Sequence, residues 1–258
     1  MSVLSGLAGA LADGSIQLVD LTTPLSSETP VLSLPDPFAN TVGLSLSPVS
    51  HYDQVGPAWA WNDVSVGEHA GTHLDAPVHW ISGKDGKSVD EIEPSRLVGP
   101  LVVIDKTTEA EQNPDFLLEP EDLEAWEREH GAFPANCWVI YRTGWSCRGG
   151  STADFINADG AGPHTPGVSA RGAKWLAEHD SISGFGVETV GIDAGQAGTF
   201  DPVFPAHEYL LGADKYGLTS LRNVEKLPVV GAMITVAPLP IVGGTGSPAR
   251  VYALVERS

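Results

Sequence analysis

A mixed α/β fold follows from three observations on this chain of 258 residues. Six short apolar runs, rich in β-branched residues and bounded by Gly or Pro, recur from one end to the other and read as strands: residues 16–21, 101–104, 138–141, 187–192, 229–236 and 251–255. Two segments between them carry helix signatures. With 42% hydrophobic residues, 29 Gly and 20 Pro, the composition suits short strands and many loops rather than a helical bundle. No internal repeat or linker divides the chain, so residues 1–258 are expected to form a single domain, whose strand order one sequence does not fix.

Taken in order, residues 1–12 are mildly apolar, but they lack a basic region and are broken by Ser5, Gly6 and Gly9, so no cleaved leader is expected. The first predicted helix starts at Pro120, carries Glu121 and Asp122 in its first turn, buries Leu123 and Trp126, and stops at Gly131. The second opens at Ser169 as N-cap and runs through Ala173, Trp175 and Leu176 to about His179. A shorter third helix follows Pro205. The glycine-rich residues 243–248 superficially suggest a phosphate loop, but no helix or Lys follows, and the strand at 251–255 makes them a turn between two strands.

The formal net charge is −19, from 33 acidic and 14 basic residues, and the first basic residue is Lys84. Polyanions are repelled, which excludes nucleic acid and anionic membrane surfaces as partners. Nothing approaches the roughly 20 apolar residues that cross a bilayer. Two cysteines, Cys137 and Cys147, do not make a disulfide scaffold in a chain this long; both are expected to be reduced, as in a cytoplasmic enzyme.

Chemistry concentrates in residues 67–80, Gly-Glu-His-Ala-Gly-Thr-His-Leu-Asp-Ala-Pro-Val-His-Trp, where three His and one Asp fall within 11 residues. His69 and His73 have helical spacing, yet Gly71, Thr72 and Pro77 oppose a continuous helix. Extended, the steps from His69 to Asp75 would span about 20 Å, so a turn at Gly71 must gather the donors. A lone loop His is ordinarily a hydrogen-bonded structural residue, but four donors this close favour a divalent ion: Zn²⁺ for imidazole and carboxylate, Mn²⁺ or Fe²⁺ if further oxygen or amide ligands join. His79 is a fourth ligand, a general base or a plain loop residue, and the base is preferred because imidazole titrates near neutral pH. Trp59, Trp61, Trp80, Phe200 and Phe204 are candidates to wall a pocket for a flat or aromatic substrate, although such residues singly are ordinarily core. His164 is a weaker pocket candidate.

The string from His69 to His79 resembles the His-x-Gly-Thr-His-x-Asp-x-Pro-x-His signature of the cyclase family, which includes bacterial kynurenine formamidases and isatin hydrolases. The similarity extends to residues 59–63, 83–92, 189–196 and 204–221. This resemblance implies that His69, His73 and Asp75 hold the metal and that His79 is the base. It also matches a further family His to His207, before a Leu-Leu pair. In the formamidases a Glu about twelve residues later completes a second metal site; here Thr219 and Ser220 stand there instead. The chain therefore resembles the isatin hydrolase side, with one ion, manganese favoured over zinc. Gln196 is then an added oxygen ligand or a buried amide, and His207 a ligand or a proton relay with Ser220. The resemblance further implies a swivelling β/β/α fold and a homodimer or homotetramer.

The function expected is hydrolysis of a carbon–nitrogen amide bond in a small cyclic or aromatic amide such as isatin, with His79 taking a proton from water. Alternatives are an arylformamidase acting on N-formylkynurenine, and a lyase or cyclase acting through an enolate. A non-catalytic metal-binding scaffold is disfavoured because every motif residue with a chemical role is present.

Overall fold

A computed structural model describes residues 2–34 and 37–257. Fourteen strands occur among them: β1 (Ile16–Asp20), β2 (Ser45–His51), β3 (Ala60–Ser65), β4 (His73–Asp75), β5 (Val98–Asp105), β6 (Leu117–Leu118), β7 (Cys137–Arg142), β8 (Ala158–Asp159), β9 (Gly162–Pro163), β10 (Gly167–Val168), β11 (Ile182–Val187), β12 (Tyr216–Leu218), β13 (Ala232–Pro238) and β14 (Gly246–Glu256). Eight of them form one sheet in the order β1-β14-β13-β5-β7-β11-β12-β4. The long strand β14 pairs with β13 along one edge, and through Gly246, Ser247 and Pro248 with β4 along the other. That second pairing closes the sheet on itself as a barrel, and β1 continues along β14 beyond β4.

Strands β5, β7, β11 and β12 run parallel. Parallel strands buried on both faces need apolar side chains on both, which is why β5 and β7 read in the sequence as continuous apolar runs. Leu101, Val103, Trp138 and Ile140 point into one core with Leu74, Leu218, Ile234 and Val251. The alternating residues Val102, Ile104, Val139 and Tyr141 point into the other, with Leu123 and Trp126 of α3 and Ala173 and Leu176 of α5.

Helix α1 spans Val3–Asp13, α2 Thr107–Gln112, α3 Pro120–His130, α4 Thr152–Ile156 and α5 Ala170–Glu178. The two helices expected from the sequence are α3 and α5, with Pro120 at the start of α3, Gly131 as its C-cap, and the Ser169 hydroxyl accepting from Gly172 N at the head of α5. Helix α1 was not expected; Met1 lies outside the described residues. Its residues are all at least partly exposed, so little apolar periodicity marked it. The segment after Pro205 is helical, with π-helical hydrogen bonding over His207–Leu211.

Three boundaries differ from the sequence reading. The strand expected at 187–192 does not form: β11 precedes it and ends at Val187. Its run is interrupted by Gly184 and Gly186, which lie opposite Trp138 and Ile140 in register. A Cβ at Gly184 would approach the Trp138 ring to 2.5 Å, so bulk on β7 demands its absence on β11. The strand expected at 229–236 begins only at Ala232, after Gly231 at φ 89°. The turn expected at 243–248 ends at Thr245, because Gly246, Ser247 and Pro248 already belong to β14.

Strands β2 and β3 form a hairpin on their own. All residues of β3 and all but Ser50 of β2 are exposed. No helix among the described residues is long and apolar enough to cross a membrane. Both cysteines are free, Cys137 buried and Cys147 exposed.

Candidate metal centre

Three local features gather the motif. Gly71 turns the chain at φ 62°, the left-handed conformation open to glycine, and brings His69 back toward β4. In β4 the alternation of a strand puts His73 and Asp75 on one face while Leu74 enters the core. Pro77 then opens a 3₁₀ turn, Pro77–His79, which returns His79 to the same place.

Asp75 lies between two strands that carry glycine at the facing positions, Gly217 of β12 and Gly246 of β14. A Cβ at Gly217 would sit 2.8 Å from Asp75 Oδ2, and one at Gly246 2.6 Å from His69 Cε1. The space around the carboxylate exists because both neighbours lack side chains.

The hydrogen bonds fix which ring nitrogens face Asp75. Thr245 Oγ1 donates to Glu68 Oε2 at 2.6 Å, so its oxygen accepts from His69 Nε2 at 2.9 Å. In the neutral ring, His69 Nδ1 is then a lone pair, 2.8 Å from Asp75 Oδ1. His73 Nδ1 donates to Gly71 O at 2.7 Å with Thr219 Oγ1 at 2.9 Å, which leaves its Nε2 lone pair 3.3 Å from the same carboxylate oxygen. Lone pairs turned on one carboxylate repel unless a positive charge lies between them, and these separations are those of neighbouring donors about 2.1 Å from one divalent ion. The donor set fits such an ion. Ligand atoms of His69, Asp75 and His79 also lie within 4.8 Å of one another, so geometry alone allows His79 either as ligand or as base.

Electrostatics separate these groups. Burial raises the Asp75 pKa, but whenever the facing nitrogens of His73 and His69 carry protons, their charges and hydrogen bonds outweigh it and hold the carboxyl well below the usual carboxylate range. Burial lowers His79 to about 4, with His69, His207 and His73 adding to the effect against the opposing Asp75. His79 stacks on His69 with ring centroids 3.8 Å apart, and its ring makes no hydrogen bond among the described residues. For His207, burial opposes the charge, yet Asp193 and Asp75 together raise the pKa.

The structure brings His207, Trp80 and Phe204 to this cluster. His207 Nε2 lies 3.9 Å from Asp75 Oδ2, and its ring lies 5.5 Å from His79 and 4.8 Å from Trp80. Trp80 meets Phe204 edge to face at 5.7 Å. Phe204 and His207 wall a cavity of about 480 Å³ whose other residues include Leu32, Leu34 and Ile156.

Five sequence-predicted residues make no hydrogen bond or ring contact with the cluster among the described residues. Gln196 lines the cavity, where its Nε2 donates to Asp115 Oδ2 at 3.3 Å and lies 2.9 Å from His164 Nδ1, and no hydrogen bond joins it to His69, His73 or Asp75 among the described residues. Ser220 does not meet His207. Its backbone is left-handed at φ 52°, its hydroxyl faces Thr189 O, and it lines a separate cavity of about 190 Å³. The partner that His207 finds is Asp193. Trp59 and Trp61 stand exposed on the β2–β3 hairpin and make no ring contact with the cluster among the described residues. His164 is held between Asp115 and Asp159. Sequence reading missed Glu68, Thr245 and Asp193; Glu68 directly precedes the motif and Asp193 lies in the 189–196 stretch, but nothing marked Thr245, 176 residues from His69.

Residues 19–194 match the Putative cyclase family. The chain belongs to that family. Within it, the chain is 46% identical over 260 residues to an isatin hydrolase from Roseibium aggregatum, covering 100% of this chain and 98% of the relative. A crystal structure of an isatin hydrolase bound to the product analogue thioisatinate superposes with a TM-score of 0.96 at 46% identity, over 100% of both chains. A kynurenine formamidase from Bacillus mycoides is more distant, 27% identical over 237 residues, 91% of this chain and 95% of that one.

Proposed function

We propose that this chain, acting as one catalytic domain, is a metal-dependent hydrolase that opens the amide bond of small cyclic aromatic amides, isatin the first among them. The observation that carries this reading is the convergence of the His69 and His73 lone pairs on Asp75, next to His207, which with Phe204 walls a largely apolar cavity. The isatin hydrolase relatives, similar over the whole chain, support the substrate class.

His69, His73 and Asp75 would hold a single divalent ion, manganese favoured and zinc the alternative, since all donors are nitrogen and oxygen. Thr219 supports one ion rather than two: where the formamidases carry a Glu, its hydroxyl is engaged with His73. When bound, the ion supplies Lewis acidity to the amide carbonyl and to water. His79, neutral at pH 7 and without a hydrogen-bond partner, accepts a proton from the attacking water. As the carbon–oxygen bond forms and the carbon–nitrogen bond breaks, His79 returns that proton to the departing nitrogen. The products are a carboxylate and an amine in one opened molecule, with the proton of the new acid released to solvent. Trp80 and Phe204 flank the aromatic ring, and His207 offers Nε2 as a polar contact to substrate.

Chelator-treated protein with Mn²⁺ or Zn²⁺ added back, assayed on isatin and on N-formylkynurenine, tests the reading. Metal-restored opening of isatin is expected. Turnover of N-formylkynurenine alone would replace it with the arylformamidase reading, and turnover of neither would overturn it.

Two copies would associate through the β2–β3 hairpin, where Leu46 faces Val64 across the strands and Tyr52, Val55, Trp59 and Trp61 are exposed. An isolated two-stranded hairpin is marginal in water, and a second copy would cover its apolar residues. Light scattering should give the mass of a dimer or tetramer, and that of a monomer for Trp61→Glu with Val64→Glu. A wild-type monomer would refute the association. Free cysteines fit a cytoplasmic setting.

A further inference from the structure

Asp193 is a buried carboxylate on the loop that leaves β11, and the residues of the motif do not use it. Oδ1 accepts from Ala206 N at 2.7 Å, and Oδ2 accepts from His207 N at 3.2 Å and from His207 Nδ1 at 2.5 Å. The carboxylate thus grips both the backbone at the entry to the π-helical turn and the ring that projects from it. Trp80 lies beside that ring, itself held by donation from its Nε1 to Glu208 Oε2 at 3.0 Å.

We infer that Asp193 is a positioning residue, which holds the proton of His207 on Nδ1 and turns Nε2 toward substrate in the cavity. An ionised carboxylate has no proton to give, so the ring nitrogen against it must be the donor. With Nδ1 committed, the His207 atom left facing Asp75 and the substrate is Nε2. Carboxylate–imidazole pairs of this kind set tautomer and ring angle together, and exchanging the carboxylate for an amide keeps the shape while reversing the proton preference. The catalytic consequence rests on the hydrolase reading; the placement of the proton does not.

The two parts are tested separately on the full chain. In chelated protein, nitrogen-15 spectra of the histidine rings should find His207 Nδ1 protonated in the wild type, and the proton moved to Nε2 in Asp193→Asn. A bare Nδ1 in the wild type, or a proton that stays on Nδ1 in the variant, overturns the inference whether or not any amide is turned over. Where Asp193→Asn does not fold, the wild-type spectrum carries the test alone. With isatin and added metal, Asp193→Asn is expected to lose about 100-fold in kcat with KM within about threefold. Asp193→Asn combined with His207→Gln should be no slower than His207→Gln by itself. Wild-type kcat in Asp193→Asn, or losses that multiply in the double variant, would mean that Asp193 does not act through His207. Absence of turnover in the wild type would sink the hydrolase reading and leave the spectra to decide the rest.

Discussion

Gly246→Ala provides a sharp test of how the metal centre is built, because the clash it creates is defined on two sides. The added Cβ would lie 2.5 Å from Leu74 O and 2.6 Å from His69 Cε1, with His69 Nδ1 at 3.1 Å. Leu74 O belongs to β4, whose pairing with β14 closes the barrel, so it cannot retreat cheaply. The ring of His69 must give instead, by roughly 0.8 Å to restore ordinary contact at 3.4 Å. Metal–ligand distances tolerate only about ±0.2 Å. The expected result is a loss of about 10- to 100-fold in metal affinity, the size seen when a ligand loses its supporting contacts, with about 1–3 kcal/mol of stability lost to overpacking. Calorimetric titration of chelated protein with Mn²⁺ measures the first and thermal unfolding the second. Gly6→Ala serves as control, since nothing lies within 4 Å of a Cβ there. Affinity within threefold of wild type in Gly246→Ala would refute the placement of His69 as a ligand.

Other consequences can be measured in the same system. His79→Ala should retain bound metal and lose about 10²- to 10⁴-fold in kcat; metal loss would instead make His79 a ligand, and unchanged turnover would end the base assignment. Because His79 titrates near 4 rather than 6.5, kcat/KM should show no His79 limb between about pH 5 and 7, and a limb at 6.5 in the pH–rate profile would contradict this. The same shift gives the sign of a stability effect: the fold prefers neutral His79, so the unfolded chain binds more protons between the two values. That stabilisation is full above 6.5 and disappears as pH falls toward 4, so denaturant midpoints of the chelated protein should fall over this window, and fall less in His79→Ala. Glu188, buried, accepts from Thr143 N at 2.6 Å, Gly144 N at 2.7 Å and Ser146 Oγ at 2.7 Å. Glu188→Ala strands those donors and should cost about 3 kcal/mol in urea unfolding; a change below about 0.5 kcal/mol would mean that water replaces the carboxylate.

By itself the sequence determined which residues could hold an ion and several of the strands that carry the core, β5, β7 and β14 among them. Imidazole and carboxylate at residues 69–79 have few other uses at such density, and strands buried on both faces, such as β5 and β7, read as near-continuous apolar runs. Helices α3 and α5 were legible because caps and terminal glycine act within a single turn of chain. Only the tertiary structure decided how the centre is completed. Thr245 and Glu68 fix the His69 tautomer, and Gly217 and Gly246 clear the space beside Asp75, because β12 and β14 happen to flank β4. His207 meets Asp193 rather than Ser220, because a loop from β11 meets the turn that carries His207. Hydrogen bonds and steric contacts act within about 3 Å of space, and the pairing of strands that creates those distances is a property of the whole sheet, not of any segment that can be read alone.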